Sequence, residues 1–244
     1  MNQVNRQLAL FDFDHTLVHG DTTTILEGIL QEGEDVSDKK IIHSLSKDAV
    51  KMMNDQYCDL HSKGVKHEQL REKLSEIRIT ECMEDLVKFL KNYNTEIVIL
   101  SDLNTILIND WLRIWNLEPY IDKVISNPST ISNDGCLLVQ PFRDQNHCTL
   151  SYKSLCKGDE MEDYIKERGK NGVHFYRVIY VGDGINDLCP VLRLSKTDFV
   201  FPRAGFKLEN DINKIKNHPT NPIKPSVHVW NSGLDIIDIL SKFK

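Results

Sequence analysis

Two carboxylates stand two positions apart at the end of an apolar run. Leu8-Ala9-Leu10-Phe11 leads into Asp12-Phe13-Asp14, and a hydroxyl follows at Thr16. In a strand, residues i and i+2 face the same way, so a strand over 8–13 delivers both acids to one spot at its C-terminal edge. Like charges that close repel unless a cation or a shared proton offsets them, and a dication with hard oxygen ligands is the natural partner. A carboxylate so placed can attack a phosphoryl group and form an aspartyl-phosphate, which splits one hard displacement into two easier ones. Nucleophile and phosphate are both anionic, which requires Mg²⁺ between them. Asp12, first at the strand end, is the nucleophile candidate. Asp14 is then placed to protonate the leaving oxygen and to activate water. Taken alone, the fragment also fits a turn carrying two solvated acids.

Three further groups have the right chemistry. Glu96-Ile97-Val98-Ile99-Leu100 ends in Ser101-Asp102, where a small hydroxyl can bond a phosphate oxygen or simply cap a helix. Val178-Ile179-Tyr180-Val181 ends in Gly182-Asp183-Gly184-Ile185-Asn186-Asp187. Its glycines allow a sharp turn and a close backbone approach. Asp183 could complete an acidic metal site, with Asn186 and Asp187 in support. Lys157 stands near the start of a helical pattern, where the macrodipole disfavours a cation, which hints that it serves an anion.

The elements that would position these residues are short, nearly continuous apolar strands alternating with helical patterns over 81–92, 104–115 and 159–168 and beyond Gly184. That alternation predicts an α/β protein with a Rossmann-like parallel sheet covered on both faces, its ligands outside the C-terminal strand ends. Residues 20–80 read differently. They carry no clear strand, are rich in Asp, Glu, Lys and His, and show weak helical periodicity over 41–60 and 67–77, as expected of a small helical insert. The expected division is a catalytic core of 1–19 and 81–244 with a cap of 20–80. Ser132-Asn133-Asp134-Gly135 before Cys136-Leu137-Leu138-Val139 signals a hairpin. A strand over 227–230 and a helix over 234–240 close the domain.

The 244 residues are 40% hydrophobic and 27% charged with a net charge of −6, an ordinary globular balance that disfavours nucleic acid or an anionic membrane as partner. No apolar stretch is long enough to span a bilayer, and the run after Met1-Asn2-Gln3-Val4 is cut short by Asp12, unlike a secretory signal. The six cysteines form no C-x-x-C pair, which suggests reduced thiols in a cytoplasmic protein. Cys148, Cys156 and His147 could form a zinc site, although isolated Cys and His are usually packed residues. Oligomeric state leaves no mark in the sequence.

Taken in order, Asp-x-Asp-x-Thr, a strand-end Ser, a Lys and Gly-Asp-Gly-x-x-Asp resemble the haloacid dehalogenase superfamily of phosphohydrolases over essentially the whole chain. The resemblance implies Asp12 as nucleophile and Asp14 as acid/base and as metal ligand through its carbonyl. It implies Ser101 and Lys157 on phosphate, Asp12, Asp14 and Asp183 around Mg²⁺ with Asp187 supporting, and an insert of the C1 cap type. A narrower likeness rests on Ile99-Leu100-Ser101-Asp102-Leu103-Asn104, Ser126-Asn127-Pro128, Cys156-Lys157-Gly158, Asp183 through Pro190 and Phe201-Pro202-Arg203. These resemble the phosphoethanolamine/phosphocholine phosphatase family, which includes a pyridoxal phosphate phosphatase and plant members acting on thiamine monophosphate or pyrophosphate. Asp21 and Asp102 would then bind substrate. Two departures stand out. Thr23 replaces an acid tied to amine recognition, and Ser151-Tyr152 replaces a usual Cys-Pro between Cys148 and Cys156.

The expected activity is a Mg²⁺-dependent phosphomonoesterase acting on a small phosphorylated metabolite, pyridoxal phosphate or similar. The alternatives are an inorganic pyrophosphatase, a phosphotransferase, a phosphocholine/phosphoethanolamine phosphatase, or a binding protein with an inactive site. His15, His19, Asp21 and Thr23 border the site by position.

Overall fold

A computed structural model describes residues 4–22, Gly28 and 48–243. Six parallel strands form one sheet: β1 (Val4–Phe11), β2 (Thr95–Asn104), β3 (Lys123–Asn127), β6 (Val173–Gly182), β7 (Phe199–Pro202) and β8 (Ser226–Val227), in the order β3-β2-β1-β6-β7-β8. The period-2 pattern of the apolar runs divides the core. Ala9, Phe11, Ile97, Ile99, Ile179 and Val181 pack on one face, and Leu8, Leu10, Val98, Leu100, Val178 and Tyr180 on the other. Both faces are covered, as all-parallel sheets require. The helices among the described residues are α1 (Ala49–Ser62), α2 (His67–Glu76), α3 (Met83–Asn92), α4 (Thr105–Ile114), α5 (Lys157–Lys170), α6 (Leu188–Val191), α7 (Lys207–Lys216) and α8 (Gly233–Leu240). None is long and apolar enough to cross a membrane.

The chain runs outward from β1 to β2 and β3, then returns to β6 on the other side of β1 before continuing to β7 and β8. The strand order therefore reverses at β1, and the crevice outside its C-terminal end is where an open α/β sheet binds ligands. Register pairs Phe11 of β1 with Ile99 of β2 and with Val181 of β6. Asp12, Ser101 and Asp183 thus emerge within two residues of a common line across the sheet.

Several expected elements differ in extent. β1 stops at Phe11, and the chain then enters a single irregular turn over Phe13–Leu17, in which Asp14 is extended (φ −63°, ψ 140°) and His15 is left-handed (φ 53°). The strand pleat therefore does not align Asp12 with Asp14. β2 runs on through Ser101 and Asp102, but its ladder with β3 is interrupted between Leu100 and Asn104, which frees those residues at the edge. The helix N-cap falls on Asn104, whose side chain accepts from the Leu107 amide, and not on Ser101-Asp102. The helix expected over 159–168 starts at Lys157 and ends at Lys170. The closing strand is confined to Ser226–Val227, with Trp230 bridging to Arg203.

Residues 48–80 supply α1 and α2 and no strand of the main sheet; expectations for 23–27, Thr23 among them, and for 29–47 lie outside the described residues. The predicted hairpin is present as β4 (Ser129–Ile131) paired antiparallel with β5 (Leu137–Val139). It packs on α1, where the Asn54 side chain both donates to Val139 O (2.9 Å) and accepts from Val139 N (2.8 Å). Trp111 of α4 donates its indole N–H to Ile77 O at 2.9 Å and meets the Phe13 ring edge-on at 5.3 Å. The loop bearing Asp12 and Asp14 is thereby anchored from below by a fully buried aromatic pair.

Candidate active site

Lys157 lies at the centre of the site. It is the first residue of α5, fully buried, and its Nζ reaches Asp12 Oδ1 and Asp187 Oδ1, each at 2.8 Å. Burial opposes its charge, but Asp12, Asp187 and Asp102 outweigh that effect and hold the ammonium well above its ordinary range. A cation at a helix N-terminus, disfavoured locally, is thus stabilised by carboxylates from two strand ends.

Each carboxylate has a distinct environment. Asp12 Oδ1 also accepts from the Phe13 amide at 2.7 Å, while its second oxygen takes no hydrogen bond among the described residues. Burial and then Asp187 push the Asp12 carboxyl well above the usual range, with Lys157 opposing. Asp187 has both oxygens engaged. Oδ1 accepts from Lys157 and from Tyr180 Oη (2.7 Å), and Oδ2 accepts from the Asp183 and Gly184 amides at 3.0 and 2.8 Å. It orders the turn and the lysine. Gly182 permits this, because a Cβ there would lie 2.5 Å from Asp187 Oδ2. Asp183 accepts from Thr16 Oγ1 at 3.2 Å and is pushed up to about 8, by burial first and Asp187 second.

Asp14 turns towards the edge of the site, where it accepts from the Thr22 amide (2.9 Å) and the Thr22 hydroxyl (3.2 Å). Burial and the nearby Asp21 push its carboxyl up to about 7, although the Thr22 bonds favour the ionised form. Asp102 Oδ2 accepts from Asn186 Nδ2 at 2.6 Å, and Oδ1 is buried without a partner. Burial pushes this acid up to about 6. Ser101 is buried, and its Oγ accepts from the Leu103 amide at 3.2 Å.

The expected residues therefore meet at one sheet edge. The Thr16 hydroxyl of the first motif meets Asp183, while the roles of Thr22, Tyr180 and Arg203 escape sequence reading. Arg203 donates to the His15 carbonyl, fixing the left-handed residue that directly follows Asp14, and lies over the Phe206 and Trp230 rings at 4.7 and 5.3 Å. Its charge also favours ionised Asp183. Its position in Phe201-Pro202-Arg203, directly after β7, is the only signal the sequence offers. Tyr152 is another; its hydroxyl is pushed up to about 12 by burial and by Asp102.

The donor set suits a hard dication. Ligand oxygens of Asp12, Asp183 and Asp187 lie within 4.8 Å of one another, all buried. Around them Asp12, Asp14, Asp102, Asp183 and Asp187 face Lys157 and Arg203, a surplus of buried negative charge. Such a surplus is costly unless a cation offsets it. With Asp187 already saturated, Asp12 and Asp183 are the carboxylates able to turn an oxygen to an ion.

A carboxylate with an open oxygen beside a buried lysine, at the switch point of a parallel sheet, is the plan of phosphatases of the haloacid dehalogenase superfamily, and comparison with known proteins assigns the chain to them. It belongs to the family described as Putative Phosphatase, which matches residues 7–243. Among its relatives, the probable phosphatase phospho2 of Xenopus tropicalis is 32% identical over 242 residues, covering 96% of this chain and 97% of the relative. The pyridoxal phosphate phosphatase PHOSPHO2 of Bos taurus is 31% identical over 241 residues, covering 96% of each. A phosphoserine phosphatase solved as a phospho-aspartyl intermediate analogue superposes with a TM-score of 0.60 at 18% identity, covering 98% of this chain and 100% of that one, which shows the shared fold.

Proposed function

We propose that the chain is a Mg²⁺-dependent phosphomonoesterase that hydrolyses a small phosphorylated metabolite, pyridoxal phosphate first among the candidates, through an aspartyl-phosphate on Asp12. The observation that carries this reading is the Asp12 carboxylate itself. One oxygen is clamped by Lys157 and the Phe13 amide, and the other is left open beside Asp183. Mg²⁺ held by Asp12, Asp183 and the Asp14 carbonyl would supply charge neutralisation between the anionic nucleophile and phosphate.

The open Asp12 oxygen attacks phosphorus as the ester bond breaks. Asp14, near its midpoint at neutral pH, gives its proton to the leaving oxygen. Lys157, Ser101 and backbone amides of the strand-end turns neutralise the equatorial oxygens. Asp14, now ionised, takes a proton from water, which attacks phosphorus and returns Asp12 as carboxylate and inorganic phosphate as product. Residues 20–80 act as a cap over the core of 1–19 and 81–244, excluding bulk water and selecting the leaving group. Asp21 and Asp102 face that group. The unpartnered Asp102 oxygen would accept an N–H or O–H from it, which keeps phosphoethanolamine as a second reading.

The relatives named for pyridoxal phosphate support the first candidate, and phosphate release from a panel tests it. The panel holds pyridoxal phosphate, phosphoethanolamine, phosphocholine, thiamine monophosphate and pyrophosphate, each with Mg²⁺ and with chelator. The expected result is Mg²⁺-dependent release that is fastest from pyridoxal phosphate. Preference for pyrophosphate would make the chain a pyrophosphatase, and no release from any compound would support a binding protein.

Thr22 tunes the acid. Thr22→Val removes one bond to ionised Asp14, so the Asp14 pKa rises further above its starting value near 7. The protonated form then survives to higher pH. The alkaline limb of kcat/KM is expected to move up by as much as about one pH unit, read from a pH–rate profile.

A further inference from the structure

A second cluster of ligating atoms lies behind the phosphate lysine, outside the carboxylate site. The sulfurs of Cys148, Cys156 and Cys189 all fall within 4.8 Å of one another. Cys148 Sγ is 3.4 Å from Cys189 Sγ, and Cys156 Sγ is 3.7 Å from it. They come from three separate places: a loop, the residue capping α5, and the first turn of α6. Tetrahedral zinc with Zn–S bonds of about 2.3 Å spaces its sulfurs about 3.8 Å apart, close to the separations seen.

The surroundings supply donors to sulfur. The Leu150 amide points at Cys148 and the Asp159 amide at Cys156. Arg193 Nη2 lies 3.7 Å from Cys156 Sγ. The Ser151 side chain faces both Cys148 and Cys156, is 97% buried (3% exposed), and its hydroxyl has no properly formed hydrogen bond. Donors of this kind would stabilise a metal-bound thiolate, whereas burial pushes the metal-free Cys156 thiol up and the Cys189 thiol up to about 12. The loop is itself organised around its cysteine. Gln145 Oε1 accepts from the His147 and Cys148 amides, and Gln145 Nε2 donates to the Cys148 and Tyr152 carbonyls. The packing is tight, since a Cβ on Gly158 would lie 2.6 Å from Cys189 Sγ.

We propose that Cys148, Cys156 and Cys189 form a structural site for a thiophilic d¹⁰ dication, Zn²⁺, with His147 closing the fourth position. His147, Cys156 and Asp159 also bring ligand atoms within 4.8 Å of one another, and Asp159 Oδ2 holds His147 Nε2 at 2.8 Å, an orienting carboxylate of the kind metal-binding imidazoles use. Binding forms three Zn–S bonds and releases the three thiol protons to solvent. Cys156 immediately precedes Lys157, and Cys189 follows Asp187 by two residues. The ion therefore ties together the two segments that hold the Lys157–Asp187 pair, without touching phosphate chemistry. Sequence alone pairs Cys148 with Cys156 and His147; the fold adds Cys189, 33 residues beyond Cys156.

Cobalt substitution tests the site on the full chain. The purified protein is stripped of metal under reducing conditions and titrated with Co²⁺. The expected spectrum shows the intense visible bands of a tetrahedral ion and a near-ultraviolet thiolate-to-cobalt charge-transfer band. One equivalent of Zn²⁺, but not excess Mg²⁺, should abolish both. Cys58→Ser keeps the band. Cys189→Ser loses it and binds Zn²⁺ more weakly by more than the roughly 10–100-fold that removing a supporting partner costs. A cobalt spectrum without charge transfer in the wild-type chain would overturn the proposal whether or not the variant folds, because the carboxylate site contains no sulfur. An unchanged charge-transfer band in a folded Cys189→Ser would overturn it equally.

Discussion

Asp12→Asn is expected to lose at least about 10³-fold in kcat while keeping the wild-type circular dichroism spectrum and thermal midpoint within a few degrees. An amide cannot attack phosphorus, and in the proposed mechanism the open oxygen of Asp12 is the nucleophile. The substitution removes one buried negative charge from a surplus, so it relieves repulsion with Asp187 and Asp183 while weakening the hold on Lys157. Those effects oppose each other, which is why the fold should survive. The loss is expected in kcat with little change in KM for phosphate esters. Single-turnover kinetics with denaturant melts on the same sample would separate chemistry from folding.

Lys157→Met has the larger structural effect. Methionine fills similar volume but leaves Asp12 and Asp187 facing each other in a fully buried position. Removing one partner of a buried ionic cluster typically costs about 3–5 kcal/mol, because the remaining charge stays desolvated. A urea titration should show a loss of that size. The pH dependence has a definite sign. Without the lysine, the Asp12 carboxyl, already raised by burial and Asp187, rises further. Protonation at lower pH then relieves the repulsion, so the stability gap between wild type and variant should narrow as pH falls and widen as pH rises. Turnover should be lost as well, since the Asp12 oxygen loses its clamp and the proposed phosphate site loses its lysine.

Much of this arrangement is legible in the chain because parallel strands buried on both faces read as continuous apolar runs. The runs at 8–11, 96–100 and 178–181 mark β1, β2 and β6, and their last residues mark the site. What is less legible follows from length and from tertiary context. β3 and β7 have five and four residues, too few to show a period. The irregular turn that carries Asp14 away from the line of β1 includes a left-handed His15 held by Arg203, a contact spanning 188 positions. The saturation of Asp187 likewise depends on Tyr180 and on two amides of its own turn, so its role as an organiser, expected only as support, becomes concrete in three dimensions. The cysteines show the same limit. Their spacing in sequence carries almost no signal, whereas the approach of α6 to the start of α5, with the loop holding Cys148, places three sulfurs together.

The most direct test of the central claim is acid-quenched reaction of the wild-type chain with ³²P-labelled pyridoxal phosphate and Mg²⁺, followed by peptide mapping. The expected result is transient label on the peptide containing Asp12, alkali-labile as an acyl phosphate should be, and absent from Asp12→Asn. Steady turnover with no label on that peptide, or label carried by a different residue, would contradict it.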